Sequence, residues 1–467
     1  MSAPPVPAAA LPSPDVLAAW LAGQRWFAAK TRQITGVRAV DAVPLARALV
    51  VILEVALDDG TVHGYLAPLR AGPTVADALD DGEFCRALLA LMRHQGQVVG
   101  AAGTLQGGAV VPRLLEVPPD VPVRRLSGEQ SNTSVLFGRA LILKFFRRHV
   151  PGINPEIEIG RFLTERAPFP GTPRLAGQLE YRSAAGTAAV AVVQEFVDGA
   201  RDGWEWTLEQ LAEFYRRART APGPPSADRV ADLAAPSLGA LRRLGEQTAA
   251  LHRGLATDIA DPAFAPAPIT DGDVAAWNAG IRAQIEAARA VLGGDAALTI
   301  VPDTATGLRH LVGRHKIRHH GDFHLGQTLY RPDPGEFVII DFEGEPGRPL
   351  PERRRKHAAL RDVAGLVRSL VYAAAAARRE GSDDLAAWGD AWTAEAERAY
   401  LDGYRTMAAD ATFVPASDAG FVAALAAFEL EKAAYEVVYE ANHRPHWIHI
   451  PREGLRKAAA RLGWSGA

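Results

Sequence analysis

The sequence predicts an α+β fold in which a sheet-rich first part gives way to a mostly helical second part, and three observations lead there. Up to about residue 200, apolar residues come in strand-length blocks such as "LVVILEV" and "ALILKFF", bounded by Gly, Pro and Asp turns. Beyond Ala200 the apolar spacing is mostly 3.6, as in "APSLGALRRLGEQTAALHRGLA" and "FVAALAAFELEKAAYEVVYEANHR". At 467 residues the chain also exceeds what one core usually serves. Three regions are expected: 1–95, 96–200 and 201–467.

The first region opens on "MSAPPVPAAALPSP", read as a flexible leader because it lacks a basic segment and its prolines interrupt any helix. A short helix follows at residues 14–21, then "RWFAAK", then the strands "LVVILEV" and "TVHGYLAPL" joined by Asp58-Asp59-Gly60. A soft boundary is expected at about 96–124, where Gly, Val and Pro accumulate. In the second region "TSVLF" and "ALILKFF" flank Gly138-Arg139, and "NPEIEIGRFLTER" turns helical with Asn154 as N-cap and Pro155 at the first helical position. "AAVAVVQEFV" returns to strand. Within the helical third region, residues 317–342 read as strand "IRHH", a loop, strand "TLYR", the turn Pro332-Asp333-Pro334-Gly335 and strand "FVIIDF".

A net charge of −3, with 22% charged residues, gives no basic surface for nucleic acid. The single cysteine, Cys85, excludes a disulfide framework and a cysteine-rich zinc site and suits a reducing cytoplasm. No apolar run approaches the roughly 18 residues of a membrane helix, so no membrane partner is expected.

The densest chemistry is "HHGDFHLGQTLYRPDPGEFVIIDFEG", residues 319–344. Phosphoryl transfer on the kinase plan needs an Asp that orients the acceptor hydroxyl and takes its proton, an amide oxygen on Mg²⁺, and a second Asp bridging Mg²⁺ to the phosphates. Asp322, Gln327 and Asp341 occur in that order. His320 and His324 share the i, i+4 spacing of zinc ligands, but "GDF" between them indicates a loop and no third ligand is evident. His320 is instead expected to pack beside the loop.

Lys144 is informative because the chain has six lysines against forty-five arginines, so a casual surface cation would be written Arg. Its compact ammonium suits the α- and β-phosphates of ATP, held by a carboxylate of the next helix. Glu158 is chosen, with Glu156 as competitor. "SGEQSNTSVLFG" precedes this strand with small and hydroxyl residues whose backbone can fold over phosphates, among them Ser131, Asn132 and Thr133. "VVQEFVDG" places the backbone of Glu195, Phe196 and Val197 toward adenine. Glu343 and Glu345 either solvate their loop or help place metals. Asp362 is expected to cap the helix it opens and to fix the hairpin.

"SGEQSNTSVLFG", "LILKFF", "QEFVDGARDGW", "HHGDFHLGQTL", "IIDFEGEPGRPLPERRRKHAALRDVAGLVRSL" and "YEVVYEANHRPHW", in this order, resemble the bacterial maltokinases, which sit in the wider aminoglycoside-phosphotransferase and protein-kinase-like group. The resemblance implies a bilobal, protein-kinase-like fold with an N-terminal cap, and phosphoryl transfer from MgATP to maltose to give maltose 1-phosphate and ADP in the route from trehalose to α-glucan. It implies Asp322 as base, Gln327 and Asp341 as Mg²⁺ ligands, Lys144 as the nucleotide lysine, and a possible association with trehalose synthase. Two segments depart from the family pattern: "RWFAAKTR" stands where "RWFAGKGR" is expected and "RSLVYAA" where "RSFDYAA" is expected, the second removing an acid. The alternatives are a kinase for another sugar, such as glucosamine, and a kinase-fold binding protein without turnover.

For the sugar, residues 421–444 read as a long helix ended by Pro445. Tyr439, Glu440, Arg444 and Trp447 would combine aromatic faces with charged groups for hydroxyls, with His324 nearby. The competing expectation is that Tyr439 and Trp447 anchor the last helices.

Overall fold

The computed structural model describes residues 11–70, 75–126, 131–293, 304–378 and 383–463. The first ten residues of the expected leader, and 127–130 of "SGEQSNTSVLFG", lie outside the described residues. The chain divides into two compact units, one made of 1–168, 173–198 and 349–352, the other of 169–172, 199–348 and 353–467. The expected boundary at 95/96 lies inside the first unit.

In the first unit, helix α1 (Pro14–Ala22) leads into a three-stranded antiparallel sheet of β1 (Ile34–Leu45), β2 (Ala48–Leu57) and β3 (Val62–Arg70). β1 is a strand the sequence reading missed. Thr35 and Arg38 are exposed and dilute the apolar signal, and its buried positions are Val37, Val43 and the charged Asp41. β2 is apolar on both faces because it serves two cores. Leu49, Val51, Leu53, Val55 and Leu57 pack on α1, Trp26, Phe27 and Tyr65. Ala48, Val50 and Ile52 face the cluster containing helix α2 (Gly82–Arg93).

A seven-stranded antiparallel sheet completes the unit from β4 (Gln97–Val99), β5 (Gly103–Ala109), β6 (Val123–Arg125), β7 (Asn132–Phe137), β8 (Leu141–Phe146), β9 (Leu175–Ser183) and β10 (Gly186–Glu195), in the order β4-β5-β9-β10-β8-β7-β6. Side chains alternate across its pleat. Leu141, Leu143 and Phe145 of β8 join the core shared with β2 and α2. Phe146 and Val192 face helix α3 (Pro155–Glu165) with Ile157 and Leu175. As expected, Asn154 caps α3 by accepting from the Glu156 amide at 2.8 Å, with Pro155 next.

The second unit is mostly helical, with α4 (Gly203–Ala218), α5 (Ala227–Leu255), α6 (Asp271–Leu292), α7 (Thr304–Leu308), α9 (Leu360–Ala377), α10 (Ala386–Met407), α11 (Asp418–His443) and α12 (His449–Arg461), while the single turn α8 (Leu350–Arg353) falls mostly in the segment 349–352 of the first unit. α5 and α10 touch backbone to backbone at Gly245 and Gly403, where a Cβ would lie 2.0 Å from the carbonyl oxygens of Tyr400 and Arg242. Between the helices run β11 (Arg201–Asp202), β12 (Ala267–Pro268), β13 (His315–Lys316), β14 (Thr328–Arg331) and β15 (Glu336–Ile339). β14 and β15 form a hairpin in register Thr328↔Ile339 through Arg331↔Glu336, flanked by β11. Trp206 of α4 stacks on Tyr330 at 3.9 Å and anchors it. The expected strand "IRHH" is not one: pairing stops at Lys316, and beyond it Ile317 makes a single bridge to His357. The histidines that follow, His319 and His320, are both buried.

Candidate active site

The loop between β13 and β14 carries Asp322, and it is held from beneath. Asp362, 3% exposed in the first turn of α9, accepts from the amides of His320 (2.7 Å) and Gly321 (2.9 Å) and pairs with His252 Nε2 at 3.0 Å. His252 Nδ1 in turn lies 3.0 Å from the Tyr404 hydroxyl of α10. Asp362 therefore does not cap α9, whose N-cap position is Ala359; both its oxygens are spent on the loop and on His252. Gly365 permits the approach, since a Cβ there would lie 2.5 Å from the Phe323 carbonyl.

His320 joins the two halves of the motif. Its Nε2 donates to the Ile340 carbonyl at 2.9 Å, and its Nδ1 faces the Asp322 amide at 3.4 Å. Ile340 also donates its amide to the Gln327 carbonyl at 3.0 Å. Asp322, Gln327 and Asp341 are thus carried on one cross-linked backbone. Asp341, two residues past β15, is half-buried with φ of 67°, a left-handed conformation uncommon outside glycine and often met at functional sites. Glu345 is engaged by Arg348 and Arg361, at 2.6 and 3.4 Å. Burial pushes its carboxyl upward, but these guanidinium groups more than offset that and hold it below the usual range.

Asp322 lines a small cavity of about 30 Å³, with Glu345, Arg348, Arg361, Glu431, Lys432 and Tyr435 among its other walls. Lys432 Nζ lies 3.6 Å from Asp322 Oδ1. The sequence reading missed Lys432, although the rarity argument that singled out Lys144 applies equally to it.

The expected sugar residues are not among the residues that line this cavity. Glu440, 1% exposed, receives Arg444 through two bonds of 2.9 and 2.7 Å. The Arg444 guanidinium sits 4.5 Å above the Trp447 ring, and Tyr439 stacks on His443 at 4.3 Å. These residues lie one to three turns beyond Tyr435, with Glu440 and Arg444 bonded to each other and Tyr439 still 40% exposed. His324 is also turned inward. Its Nδ1 accepts from the Gly326 amide at 3.1 Å, and burial holds its pKa down, so the ring shapes the loop.

In the first unit, Lys144 is half-buried on β8, paired with Ser134 and Val192. Its face of the sheet is the one covered by α3. Gln194, two residues along the neighbouring strand on the same face, donates to Glu156 Oε1 at 3.0 Å. Glu156 is 1% exposed and directed at this face, whereas Glu158 is only half-buried. Ser131 is exposed and Asn132 buried. The Thr133 side chain faces the opposite side of the sheet, where its hydroxyl accepts from Arg147 Nε at 2.9 Å. At 195–197, the Glu195 amide donates to Arg174 O (3.1 Å) and the Phe196 amide to Ala140 O (2.9 Å), while the Val197 amide meets no backbone acceptor among the described residues. The Glu195 carboxylate is held by Arg174 and lies below its ordinary pKa for that reason.

No helix among the described residues is long and apolar enough to cross a membrane. Residues 20–102 match the family model of the maltokinase N-terminal cap domain. A glucosamine kinase from Streptacidiphilus jiangxiensis is 29% identical over 372 residues, 78% of this chain and 78% of the relative. Another, from Mycolicibacterium smegmatis, is 28% identical over 343 residues, 71% of this chain and 78% of its own. A solved glucosamine kinase in complex with glucosamine, ADP and inorganic phosphate is 25% identical with a TM-score of 0.67, covering 96% of this chain and 99% of that one.

Proposed function

We propose that this chain, which has the cap and the fold of the maltokinase-like kinases, transfers the γ-phosphoryl group of ATP to a sugar hydroxyl presented to Asp322, with maltose as acceptor and its anomeric hydroxyl as nucleophile. The observation that carries the reading is the position of Asp322: on the wall of a cavity, on a loop cross-linked through His320 to the residue before Asp341. Asp322 accepts the hydroxyl proton and aligns the oxygen for attack. Gln327 and Asp341 offer oxygen donors on one braced loop, the donor chemistry that suits a hard cation such as Mg²⁺. Bound there, Mg²⁺ would neutralise charge on the phosphates. Lys144 holds the phosphates and Glu156, rather than Glu158, steadies it. Backbone at Ser131 and Asn132 lies toward the phosphates, and Val197 offers its amide to adenine.

Maltose is supported by the cap match and by the family motifs "HGDFHLGQ" and "DFEGEP". Its product, maltose 1-phosphate, would feed α-glucan synthesis, with trehalose synthase a candidate associate. A second acceptor, glucosamine, is favoured by the names of the similar proteins. The experiment is ADP release from MgATP across a sugar panel. Turnover with maltose supports the leading reading and turnover with glucosamine the second. ATP binding without ADP release from any sugar would leave a binding protein.

A further inference from the structure

The cavity beside Asp322 is walled by four carboxylates, of Asp322, Glu345, Asp362 and Glu431, and by three cations, of Arg348, Arg361 and Lys432. By count alone it should attract a positively charged acceptor. The pairing reverses that expectation. Asp362 is closed on two loop amides and His252. Glu345 takes Arg348 and Arg361, and Glu431 takes Arg361 at 3.2 Å and Arg348 at 3.8 Å. Among these carboxylates Asp322 is the one not closed by an arginine or by the loop backbone, and Lys432 stands 3.6 Å from it.

We propose that Lys432 is a positioning and specificity-determining residue whose ammonium orients Asp322 and repels a cationic sugar, so that the cavity selects uncharged acceptors. The inference rests on the kinase reading above. Lys432 is 28% exposed at its side chain and lies 5.1 Å over the Tyr435 ring, which limits how far it can swing away. An acceptor whose hydroxyl reaches Asp322 brings its ring substituents close to this ammonium. At such range, in a partly buried site, like charges repel with little screening by salt. A sugar ammonium finds Glu345 and Glu431 already bound to Arg348 and Arg361, and at Asp322 it meets Lys432. A hydroxyl instead accepts from Lys432 and donates to Asp322, so a neutral sugar satisfies both groups.

The test uses the full chain with MgATP and compares glucose, maltose and glucosamine at a pH where the amine is protonated. Glucose and glucosamine differ little in size, so the pair isolates charge. Wild type should prefer a neutral sugar in kcat/KM by roughly tenfold or more, the scale of one like-charge contact at intermediate dielectric. Lys432→Met should gain on glucosamine and lose most of that preference with the KM for ATP unchanged, while Lys432→Arg retains the preference. Wild type preferring glucosamine, or Lys432→Met keeping the wild-type ratio, overturns the inference and leaves the kinase reading intact. ADP release from none of the sugars overturns the kinase reading itself. If Lys432→Met fails to fold, Lys432→Gln carries the same comparison.

Discussion

Two stretches of α11 use the same kinds of side chain to different ends. Lys432 and Tyr435 line the cavity beside Asp322. A turn or more further on, Glu440 and Arg444 close a two-bond pair and Arg444 covers Trp447. Acid, base and aromatic residues occur in both, so composition does not separate a ligand site from a structural clamp. Satisfaction of the polar atoms does. A carboxylate that already holds its guanidinium has nothing left for a hydroxyl, whereas a lysine at 3.6 Å from an aspartate on a cavity wall can still exchange partners. Open residues should therefore cost activity when changed, and closed ones stability.

The largest effect is expected at Asp322, the open end of the comparison. Asp322→Asn keeps the shape but loses the charge, and turnover should fall on the order of 10²- to 10⁴-fold, the usual cost of a general base. The melting temperature should stay near wild type, because the loop is braced through Asp362 and His320 rather than through Asp322. A parallel drop in thermal stability and activity would place Asp322 with the closed group and break the distinction.

The hairpin was legible in sequence because its chemistry sits within one short run, where order and spacing are visible: Asp322, Gln327 and Asp341 need no tertiary information to be read together. The helical second unit followed from periodicity, and α3 from the Asn154-Pro155 start. What escaped depended on contacts distant in sequence. β1 was missed because Thr35 and Arg38 dilute its apolar signal, and the two faces of β2 serve different clusters. Lys432 lies 110 residues from Asp322, and only folding brings the pair together. Glu440 and Arg444 show the converse: at i, i+4 they were read as a pair open to ligand, and in the structure that spacing lets them bond each other.

An intermediate effect is expected at His319, a buried residue beneath the same loop. It is 6% exposed, and neither ring nitrogen meets a hydrogen-bond partner among the described residues. Burial pushes its pKa down from 6.5 to about 3. The unfolded chain takes up a proton near the upper value that the folded chain refuses. Stability is therefore lost as pH falls through this window, by at most about 1.4 kcal/mol per pH unit for one group. His357, lowered in the same direction by burial, adds to the slope. His319→Leu should flatten the acid arm of the stability curve, measured by denaturant unfolding at several pH values. An unchanged slope would mean that the ring is protonated in the folded protein and held by groups that compensate it.

The smallest effect is expected at Arg444, and it bears most directly on the comparison. Removing the guanidinium leaves the Glu440 carboxylate buried without its two bonds, and it uncovers one face of Trp447. Because the Arg444 side chain is 43% exposed, solvent screens the pair, and the loss of stability should be about 1 kcal/mol rather than the several expected of a fully buried pair. If the cluster is a clamp, Arg444→Ala lowers the melting temperature slightly and leaves the KM for the acceptor and for ATP within about twofold of wild type, as for a substitution that touches only packing. Arg444→Lys should restore part of the stability by returning the charge, though without the planar fork it cannot return both bonds. If instead Arg444→Ala raises the acceptor KM severalfold at unchanged melting temperature, the Glu440–Arg444 pair opens to receive sugar. The division of α11 into an open and a closed stretch would then describe the unliganded protein alone, and the acceptor would run from Asp322 past Tyr435 to Trp447.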